Sequence, residues 1–485
     1  MLAAVALGMI LSCGGDQLHS RLGAEGPSPH ILLIVADDLN WDSVGVHGGP
    51  VEGLTPNIDG LAREGAHFEF AFVNSSVCQP SRNVLLSGRY GHLTGGNGFG
   101  GLTVPDLPLL PTVLGREGYR TCVMGKVQHS TPYGGASWDH AVDRVDLGMG
   151  RSPALFASEA KAFMRAAVDA DRPFFIMANS HDPHRPLHGF ERASWRKGAK
   201  PVDEPSRTSV ATELDLPAFL PDLPLVRREL AAYFDSVRRL DDTVGALLAA
   251  VDELGLREST LVVFLSDNGM PFPFAKASCY QNGVRTPLVF RWPGRIQAGA
   301  VRSDVVVSAV DLLPTLVDLA GGEVPMGLDG RSLAPLVGAG TEGLKPVQST
   351  GEWDHAFVQF GRTSNGTAYP MRAVQGRRFG YVFNPWSDGV KEFVRAEHKA
   401  NGTYQAMLEA AAEDREVAER VAFLKYRTVE ELYDYEDDPH ALRNLIDDPA
   451  HVETRNRLRS ELEAWMERTE DPQLDAFRSR VLERN

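Results

Sequence analysis

The chain has 485 residues, 43% of them hydrophobic and 23% charged, and carries a formal net charge of −15 at pH 7. Its length exceeds what one small core can organise and predicts two domains of ordinary globular composition. Because phosphate binding requires a basic surface, the negative charge argues against a nucleic-acid partner. The four cysteines include no C-x-x-C pair, so neither a zinc ribbon nor a disulfide framework is indicated.

The N-terminal segment, residues 1–29, has the pattern of an export signal followed by a tether. Residues 2–11 are almost wholly apolar, a run that is too short to span a bilayer and is typical of a signal-peptide core. The next string, L-S-C-G, resembles a bacterial lipobox, in which Cys13 would be lipidated and would tether the chain to a membrane. No Lys or Arg precedes Arg21, unlike most such signals. We expect export to the periplasm or the outer membrane of a bacterium.

A continuous aliphatic run at residues 31–36 predicts a strand buried on both faces of a parallel sheet. The run ends at Asp37 and Asp38. Because functional groups of open α/β sheets collect at the carboxyl ends of strands, these two carboxylates indicate a site. A solvated turn is the alternative interpretation of the pair taken alone.

The stretch around Cys78 places a cysteine in front of a short predicted helix. Pro80 suits the first helical turn and Gly88 the position just past the last one, so we expect a helix at about residues 80–87. The unpaired N–H groups and positive dipole at its mouth suit a bound anion, and Arg82 adds a fork of donors one turn further on. An isolated C-x-P would more often be a buried structural cysteine.

Three further apolar runs, at residues 119–124, 173–178 and 261–266, predict buried strands that also end in polar side chains. The polar residues that follow them are Lys126 and His129, then His181, His184 and Arg185, and lastly Asp267 and Asn268. The last pair could meet the two earlier aspartates over one hard cation. Oxygen ligands without adjacent Cys or His favour calcium or magnesium over zinc. The two histidines could instead form a metal pair, but no third ligand of that kind lies near them in sequence.

The remaining pattern continues the α/β layout and then changes. A surface excursion at residues 190–226 precedes a long amphipathic helix at 230–254. Strands are expected at 284–291 and 302–310, and a helix at 311–321. Beyond residue 361 the sequence predicts short strands and a closing helix, at residues 369–374, 379–383, 431–435 and 452–466.

The string from Cys78 to Gly88 matches the sulfatase signature C-x-P-S-R-x-x-x-L-[ST]-G without a gap. The chain therefore resembles the type I, formylglycine-dependent sulfatases, and the resemblance covers most of residues 30–470. Within that family, the string S-D-N-G-M-P-F-P from Ser266 and the string H-D-P-H-R from His181 are similar to those of the sulfamidases, which cleave N-sulfoglucosamine.

The resemblance implies an alkaline-phosphatase-like α/β fold, in which a mixed, mostly parallel sheet lies between layers of helices. This catalytic domain would span residues 30–360. A smaller C-terminal α+β domain, residues 361–485, would contain an antiparallel sheet and a packed helix. The implied function is hydrolysis of a sulfamate or sulfate ester of a sulfated sugar. With a net charge of −15, positive charge must then be concentrated in one pocket, and small fragments or chain ends are favoured over long polyanions.

The same resemblance implies a site built around a modified Cys78. A maturation enzyme would oxidise this cysteine to formylglycine (3-oxoalanine), whose hydrate is the nucleophile towards sulfur. A calcium ion would face the modified residue and screen charge as sulfur is attacked. Its ligands would be Asp37, Asp38, Asp267 and Asn268.

The resemblance also implies roles for the neighbouring polar residues. Arg82, Lys126 and Lys276 would contact the sulfate. His129 would be the base that helps to expel sulfate, and His184 the acid that faces the leaving group. The family usually has G-K-x-H, whereas this chain has G-K-V-Q-H, so the position of His129 departs from the pattern. The candidate substrate-binding residues are His181, Arg185 and His355.

Several alternatives remain open on the sequence alone. An O-sulfatase that acts on another sulfated glycan would carry the same signature. A phosphonate or phosphodiester hydrolase of the same superfamily would share the metal ligands and, in some members, the modified cysteine. A non-catalytic binding protein on the same fold is disfavoured, because every residue assigned to the reaction is present. For His355, an ordinary loop is the alternative to a role in sugar recognition.

Overall fold

The computed structural model describes residues 28–133, 137–191, 198–338, 351, 353–394 and 402–483. The predicted export signal and the predicted lipidation site, Cys13, lie outside these residues. Within the described ranges, no helix combines the length and the apolar character that crossing a membrane requires. Cys78, Cys122 and Cys279 are buried free thiols.

Eight strands form the larger of two sheets. They are β1 (His30–Asp37), β2 (Ala66–Phe72), β3 (Arg120–Met124), β4 (His140–Val142), β5 (Phe174–Pro183), β6 (Thr260–Ser266), β7 (Leu288–Arg291) and β8 (Ala300–Ser308). Their order across the sheet is β4-β3-β5-β1-β6-β7-β2-β8. Strand β7 runs antiparallel to β6 and β2, and the other neighbouring pairs are parallel. This mixed, mostly parallel sheet confirms the fold class that the sequence predicts.

The apolar runs become the central strands because side chains on both faces of the sheet are covered. Residues 31–36 are fully buried, and every residue of β5 and β6 is buried. The predicted strands at 31–36, 173–178 and 261–266 are thus confirmed. Strand β5 is longer than predicted, since it continues through the polar stretch Asn179–Pro183.

Helices flank this sheet. They are α1 (Pro56–Arg63), α2 (Cys78–Ser87), α3 (Gly91–Thr94), α4 (Leu110–Arg116), α5 (Pro153–Val168), α6 (Pro224–Glu253), α7 (Gln281–Val284) and α8 (Leu312–Leu319). One group packs α6 against α1, α5 and β5, and another packs α2 and α4 against α8. The amphipathic pattern correctly predicts α6, which begins earlier than residue 230 because Pro224 suits its first turn.

The second sheet is antiparallel and has the order β12-β11-β10-β9. Its strands are β9 (Ala356–Arg362), β10 (Ala368–Gln375), β11 (Phe379–Phe383) and β12 (Glu430–Asp434). The helices of this region are α9 (Gly402–Ala410), α10 (Arg415–Tyr426), α11 (Val452–Arg468) and α12 (Leu474–Phe477). Helix α11 packs on the sheet through Trp465, whose ring stacks on Phe357 with centroids 5.1 Å apart. Strand β9 spans the expected domain boundary between residues 360 and 361.

The strand predicted at residues 284–291 is wrong in its first half. Gln281–Val284 is the short helix α7, and β7 begins only at Leu288. The Val284 N–H donates to the Tyr280 carbonyl (3.1 Å), which closes a helical turn. Pro287 then cannot donate a hydrogen bond to a neighbouring strand, so pairing starts after it.

The register of the parallel strands fixes where functional groups can meet. Val35 of β1 pairs with Asn179 of β5, and Ala36 pairs with Ser266 of β6. The carboxyl ends of β5, β1 and β6 therefore lie side by side at one edge of the sheet, where ligands of open α/β sheets bind.

Candidate active site

The carboxyl ends of β1 and β6 are joined by hydrogen bonds that use polar side chains. The Asp267 N–H donates to the Ala36 carbonyl (3.1 Å), and the Asp38 N–H donates to Asp267 Oδ1 (3.2 Å). The Leu39 N–H donates to Ser266 Oγ (3.0 Å). Asp38 has a φ of 69°, a left-handed conformation that Asp adopts more readily than most residues. The two aspartates are thus held together, and both are buried.

Asn268 lies beside these carboxylates. Its Nδ2 donates to Asp38 Oδ1 (2.8 Å), while its buried Oδ1 accepts no hydrogen bond from any described residue. Among the described residues, none donates a hydrogen bond to the buried Asp38 Oδ2 either. One ligand atom from each of Asp37, Asp38, Cys78 and His184 lies within 4.8 Å of the other three. The residues expected to bind the metal therefore lie together. We call Asp37, Asp38, Asp267 and Asn268 the acidic cluster.

Cys78 is the first residue of α2 and adjoins this acidic cluster. Its Sγ lies 3.3 Å from Asp37 Oδ1 and 3.9 Å from Asp38 Oδ1. The helix ends at Ser87, as predicted, and Gly88 follows it with a φ of 62°, a conformation that favours glycine. Burial and the Asp37 carboxylate raise the pKa of the Cys78 thiol, so the thiol is protonated at neutral pH. Because nucleophilic cysteines have a lowered pKa, the unmodified thiol is poorly suited to attack a substrate.

Buried cations pair with the carboxylates. Arg82 Nε and Nη2 lie 2.9 and 2.8 Å from Asp267 Oδ2. Lys276 Nζ lies 2.6 Å from Asp38 Oδ1 and 3.2 Å from Cys78 Sγ. Burial raises the pKa of Asp267 to about 7, although the charge of Arg82 acts in the opposite direction. Two of the predicted sulfate-binding cations thus lie within the cluster.

Lys126, the third such cation, forms an ion pair with Asp37. Burial alone would raise the pKa of Asp37, but the charge of Lys126 and its neighbours holds that pKa well below the usual value. Residues Val127–Ser130 form a 3-10 helix in which the His129 N–H donates to the Lys126 carbonyl (3.0 Å), and the charge of Lys126 helps to lower the pKa of His129.

His184 and His129 are the predicted proton-transfer residues. His184 Nε2 lies 3.9 Å from Asp38 Oδ2, and 33% of its side chain is exposed. Its Nδ1 lies 2.5 Å from the Arg185 carbonyl oxygen. Burial lowers the pKa of His184 to about 4. Burial, and then the charge of Lys126, lowers the pKa of His129 to about 3, so both imidazoles are neutral at pH 7.

The three candidate substrate-binding residues are placed differently. Arg185 makes a bidentate ion pair with Glu229, with N–O distances of 2.9 and 2.8 Å. His181 is buried, and its N–H donates to the carbonyl of Gly150, where a side chain would overlap the histidine ring. Arg185 and His181 thus have structural contacts beside the cluster.

His355 lies in a different part of the molecule. Its Nε2 is 3.4 Å from Arg457 Nη1. It lines a cavity of 1020 Å³ together with residues of β2, β8 and the β10–β11 turn. The described lining of that cavity includes no residue of the acidic cluster, so the structure does not bring His355 to the predicted reaction centre.

A buried ion pair that the sequence does not reveal fixes the end of β5. Asp182 accepts hydrogen bonds from Arg151 Nε (3.0 Å) and Arg239 Nε (2.7 Å), and all three side chains are buried. Arg151 Nη2 also donates to the His184 carbonyl (2.7 Å). The two arginines therefore position the loop that carries His184.

Asn179 is a further residue of the site that the sequence pattern does not single out. It accepts a hydrogen bond from Arg82, and its Nδ2 donates to the Gly125 carbonyl (3.1 Å). It thus links α2 to the segment that carries Lys126. The available signal was its position as the first polar residue at the end of a buried apolar strand.

The four residues predicted to bind the metal fit a hard divalent cation. They offer carboxylate and amide oxygens, the ligands that calcium prefers, and they are Asp37, Asp38, Asp267 and Asn268. Buried oxygens without donors, such as Asp38 Oδ2 and Asn268 Oδ1, require a partner because an unsatisfied buried acceptor costs about 1–3 kcal/mol. A cation coordinated there would supply that partner.

Comparison with known proteins identifies the class. Residues 29–322 match the family model described as Sulfatase, and the chain belongs to the sulfatase family. It is 31% identical to human N-sulphoglucosamine sulphohydrolase, over 91% of this chain and 90% of that protein. It is 30% identical to human arylsulfatase A, over 66% of this chain and 69% of that protein. The sequence resemblance to the type I sulfatases is therefore confirmed.

Solved structures give the same fold. A protein solved in complex with its substrate D-glucosamine-2-N,6-O-disulfate matches 92% of this chain and 99% of its own, with a TM-score of 0.66. The two chains are 18% identical, so this likeness shows the fold alone.

We expect the Asp182→Asn variant to lose much of its stability. The substitution keeps the shape of the side chain but leaves two buried guanidinium groups without their carboxylate, a change that typically costs about 3–5 kcal/mol. Urea denaturation of the purified protein measures the loss. Asp222→Asn, which removes an exposed ion pair with Arg227, is the matched control and should leave the denaturation midpoint nearly unchanged. Equal midpoints for the two variants would contradict the positioning role.

Proposed function

We propose that this chain is a sulfatase that uses formylglycine at position 78 and calcium to hydrolyse a sulfamate or sulfate ester of a sulfated sugar. The observation that carries the proposal is the arrangement of Asp37, Asp38, Asp267 and Asn268 around Cys78, with Arg82, Lys126 and Lys276 paired to the carboxylates. This is an acidic metal site and a cationic anion site in one buried cluster.

The four oxygen-bearing side chains would hold the cation, and residue 78 would face it. Formylglycine in its hydrated form would supply the oxygen nucleophile towards sulfur, and calcium would supply charge that orients and screens a sulfate oxygen. Membership of the sulfatase family and the raised pKa of the Cys78 thiol both support a modified residue over a thiolate nucleophile.

The buried cations would bind the three non-bridging oxygens of the sulfo group. Arg82, Lys126 and Lys276 are charged donors in a site from which water is largely excluded, where electrostatic stabilisation of a developing charge is strongest. Each cation is carried by a different segment: Arg82 by α2, Lys126 by the turn after β3, and Lys276 by the loop after β6. Ion pairs with buried carboxylates hold all three cations in place, so no contact with a sugar is needed to position them.

His184 would protonate the leaving group. It is the imidazole within ligand distance of the acidic cluster that also reaches the solvent-exposed side. A bound sulfo group brings negative charge to the site and so favours the protonated form of His184. His129, neutral in the free protein, is in the form that can accept a proton.

The substrate class is inferred from relatives and from charge. Human N-sulphoglucosamine sulphohydrolase is similar along nearly the whole chain, so N-sulfoglucosamine is the first substrate to test. An O-sulfated sugar and a phosphonate monoester are the alternatives. Release of sulfate from N-sulfoglucosamine, without release from O-sulfated monosaccharides or hydrolysis of a phenyl monoester of a phosphonic acid, would support a sulfamidase. The apolar segment at residues 2–11, ahead of Cys13, supports export and lipid attachment as parts of this proposal, and the signature from Cys78 to Gly88 supports maturation by a dedicated enzyme.

The first prediction concerns maturation. Protein co-produced with a formylglycine-generating enzyme should contain an aldehyde at position 78, because the signature from Cys78 to Gly88 is unbroken. Mass spectrometry of the peptide before and after hydrazine trapping measures it. The peptide with Cys122, another buried cysteine, should remain unmodified. An active preparation in which every copy carries plain cysteine at position 78 would contradict the mechanism.

The second prediction concerns the metal. Calcium at about a hundredfold excess over its dissociation constant should stabilise the wild type by about 2.7 kcal/mol, because it binds the native state alone. Asp267→Ala should lose bound calcium and the calcium-dependent rise in melting temperature. Asp222→Ala, which changes an exposed carboxylate, should keep both. Full activity in wild-type protein shown to be metal-free after chelation would refute the calcium site.

The third prediction concerns the bond that is cleaved. An amine leaves poorly unless protonated, whereas a nitrophenolate leaves readily, so removal of the acid should affect the two substrates unequally. His184→Ala should lose about a hundredfold or more in kcat on N-sulfoglucosamine and much less on nitrophenyl sulfate. His188→Ala, on the same loop and paired with Glu204, is the control. An equal loss on both substrates would assign His184 to sulfate binding.

A further inference from the structure

A glycine-rich segment, residues 95–101, lies next to the acidic cluster and carries one aromatic side chain. Its sequence is G-G-N-G-F-G-G, and we call it the glycine loop. The aromatic residue, Phe99, is 37% exposed. Neither the predicted metal site nor the predicted sulfate site uses this residue.

The glycine loop is anchored to the start of α2. The Gly100 N–H donates to the side-chain oxygen of Gln79 (2.9 Å), and Gln79 directly follows Cys78. Gly100 and Gly101 have φ values of 132° and 86°, which favour glycine. At Gly101 a side chain would also overlap the Pro132 carbonyl. The position of Phe99 is therefore set by backbone that only glycine allows.

A second contact holds the other side of the loop. The Leu102 N–H donates to the Pro132 carbonyl (3.0 Å). The Tyr133 hydroxyl donates to the Val104 carbonyl (2.6 Å) and accepts from the Leu107 N–H (3.0 Å). The chain after Phe99 is thus hydrogen-bonded to the segment that follows His129, so the glycine loop is held by contacts on both sides.

The ring of Phe99 packs edge-on against His129. The ring centroids are 6.0 Å apart, and the ring planes meet at 65°. His129 in turn is close to Lys126 and Arg82, whose charges act on it. Phe99 therefore lies at the border between the cationic centre and solvent, with part of its ring uncovered.

We propose that Phe99 is a substrate-binding residue, the apolar platform on which the pyranose ring that carries the sulfo group packs. This inference rests on the proposed function. The negative face of an aromatic ring disfavours an anion, so the C–H face of the sugar contacts Phe99 while the sulfo group lies among the cations. Covering the exposed ring also recovers about 25 cal/mol per Å² of apolar surface removed from water. In this role Phe99 contacts the sugar and does not act on the bond that breaks.

The test separates binding of the sugar from chemistry. Phe99→Ala should raise KM for the sulfated monosaccharide about five- to tenfold, with kcat within about twofold, because the contact is the same in ground and transition states. Phe99→Tyr keeps the ring and should restore KM to within about twofold of the wild type. Inhibition by inorganic sulfate, which lacks a sugar, should be the same in all three proteins.

Two further measurements make the result decisive. In a Cys78→Ala background, which cannot turn over, calorimetric affinity for the saccharide should fall by the same factor when Phe99 is replaced by Ala. Phe190→Ala removes an equally exposed aromatic residue that packs over Arg228, and it should leave KM unchanged. An active wild type whose KM and affinity do not respond to Phe99→Ala would overturn the platform. A wild type that releases sulfate from no sugar would instead overturn the proposed function.

Discussion

The neutralisation of buried carboxylates at the ends of two parallel strands is the interaction on which the rest of the site depends. Asp37, Asp38 and Asp267 are all buried, and each has a cation as an ion-pair partner. Buried charges are tolerated only when they are paired, because removing one partner leaves the other uncompensated at a cost of several kcal/mol. The charge balance therefore dictates that α2, the turn after β3 and the loop after β6 all converge on one point.

This convergence requires a rigid edge of the sheet. Strand β1 lies between β5 and β6 in parallel register, and its apolar residues are fully buried on both faces. An interior packed in this way resists small displacements, so the polar groups just beyond the strand ends keep their mutual distances. The Asp182 pairs with Arg151 and Arg239 extend the same rigidity to the loop that carries His184. Apolar packing therefore holds the carboxyl edge of the sheet in place, and ion pairs hold the loop residues beyond the strand ends.

The sequence predicts an element correctly where a local pattern of residue types determines its structure. Continuous apolar runs predict the central strands, and Pro80 with Gly88 predicts a helix at about 80–87, which in the structure begins two residues earlier, at Cys78. Prediction fails where the partner is distant: Arg151 and Arg239 lie 31 and 57 residues from Asp182, and nothing local marks them as a pair. Likewise, Val284 is the first residue of the strand predicted at 284–291, yet its N–H donates to the Tyr280 carbonyl and closes a helical turn. For His355, a loop histidine, the sequence had no means to show that it faces another cavity.

Under the proposed function, the buried cluster and the loops around it would have different roles in recognition. Arg82, Lys126 and Lys276 would bind the tetrahedral sulfo group, and their charges do not distinguish a nitrogen from an oxygen leaving group or one sugar from another. That discrimination would come from groups that touch the leaving group and the sugar ring, namely His184 at the exposed side of the cluster and residues of the surrounding loops. A rim built on loops can change while the charge balance beneath it stays intact. The proposed buried centre would therefore be compatible with different sugars, provided that the surrounding loops place the sulfo group over residue 78.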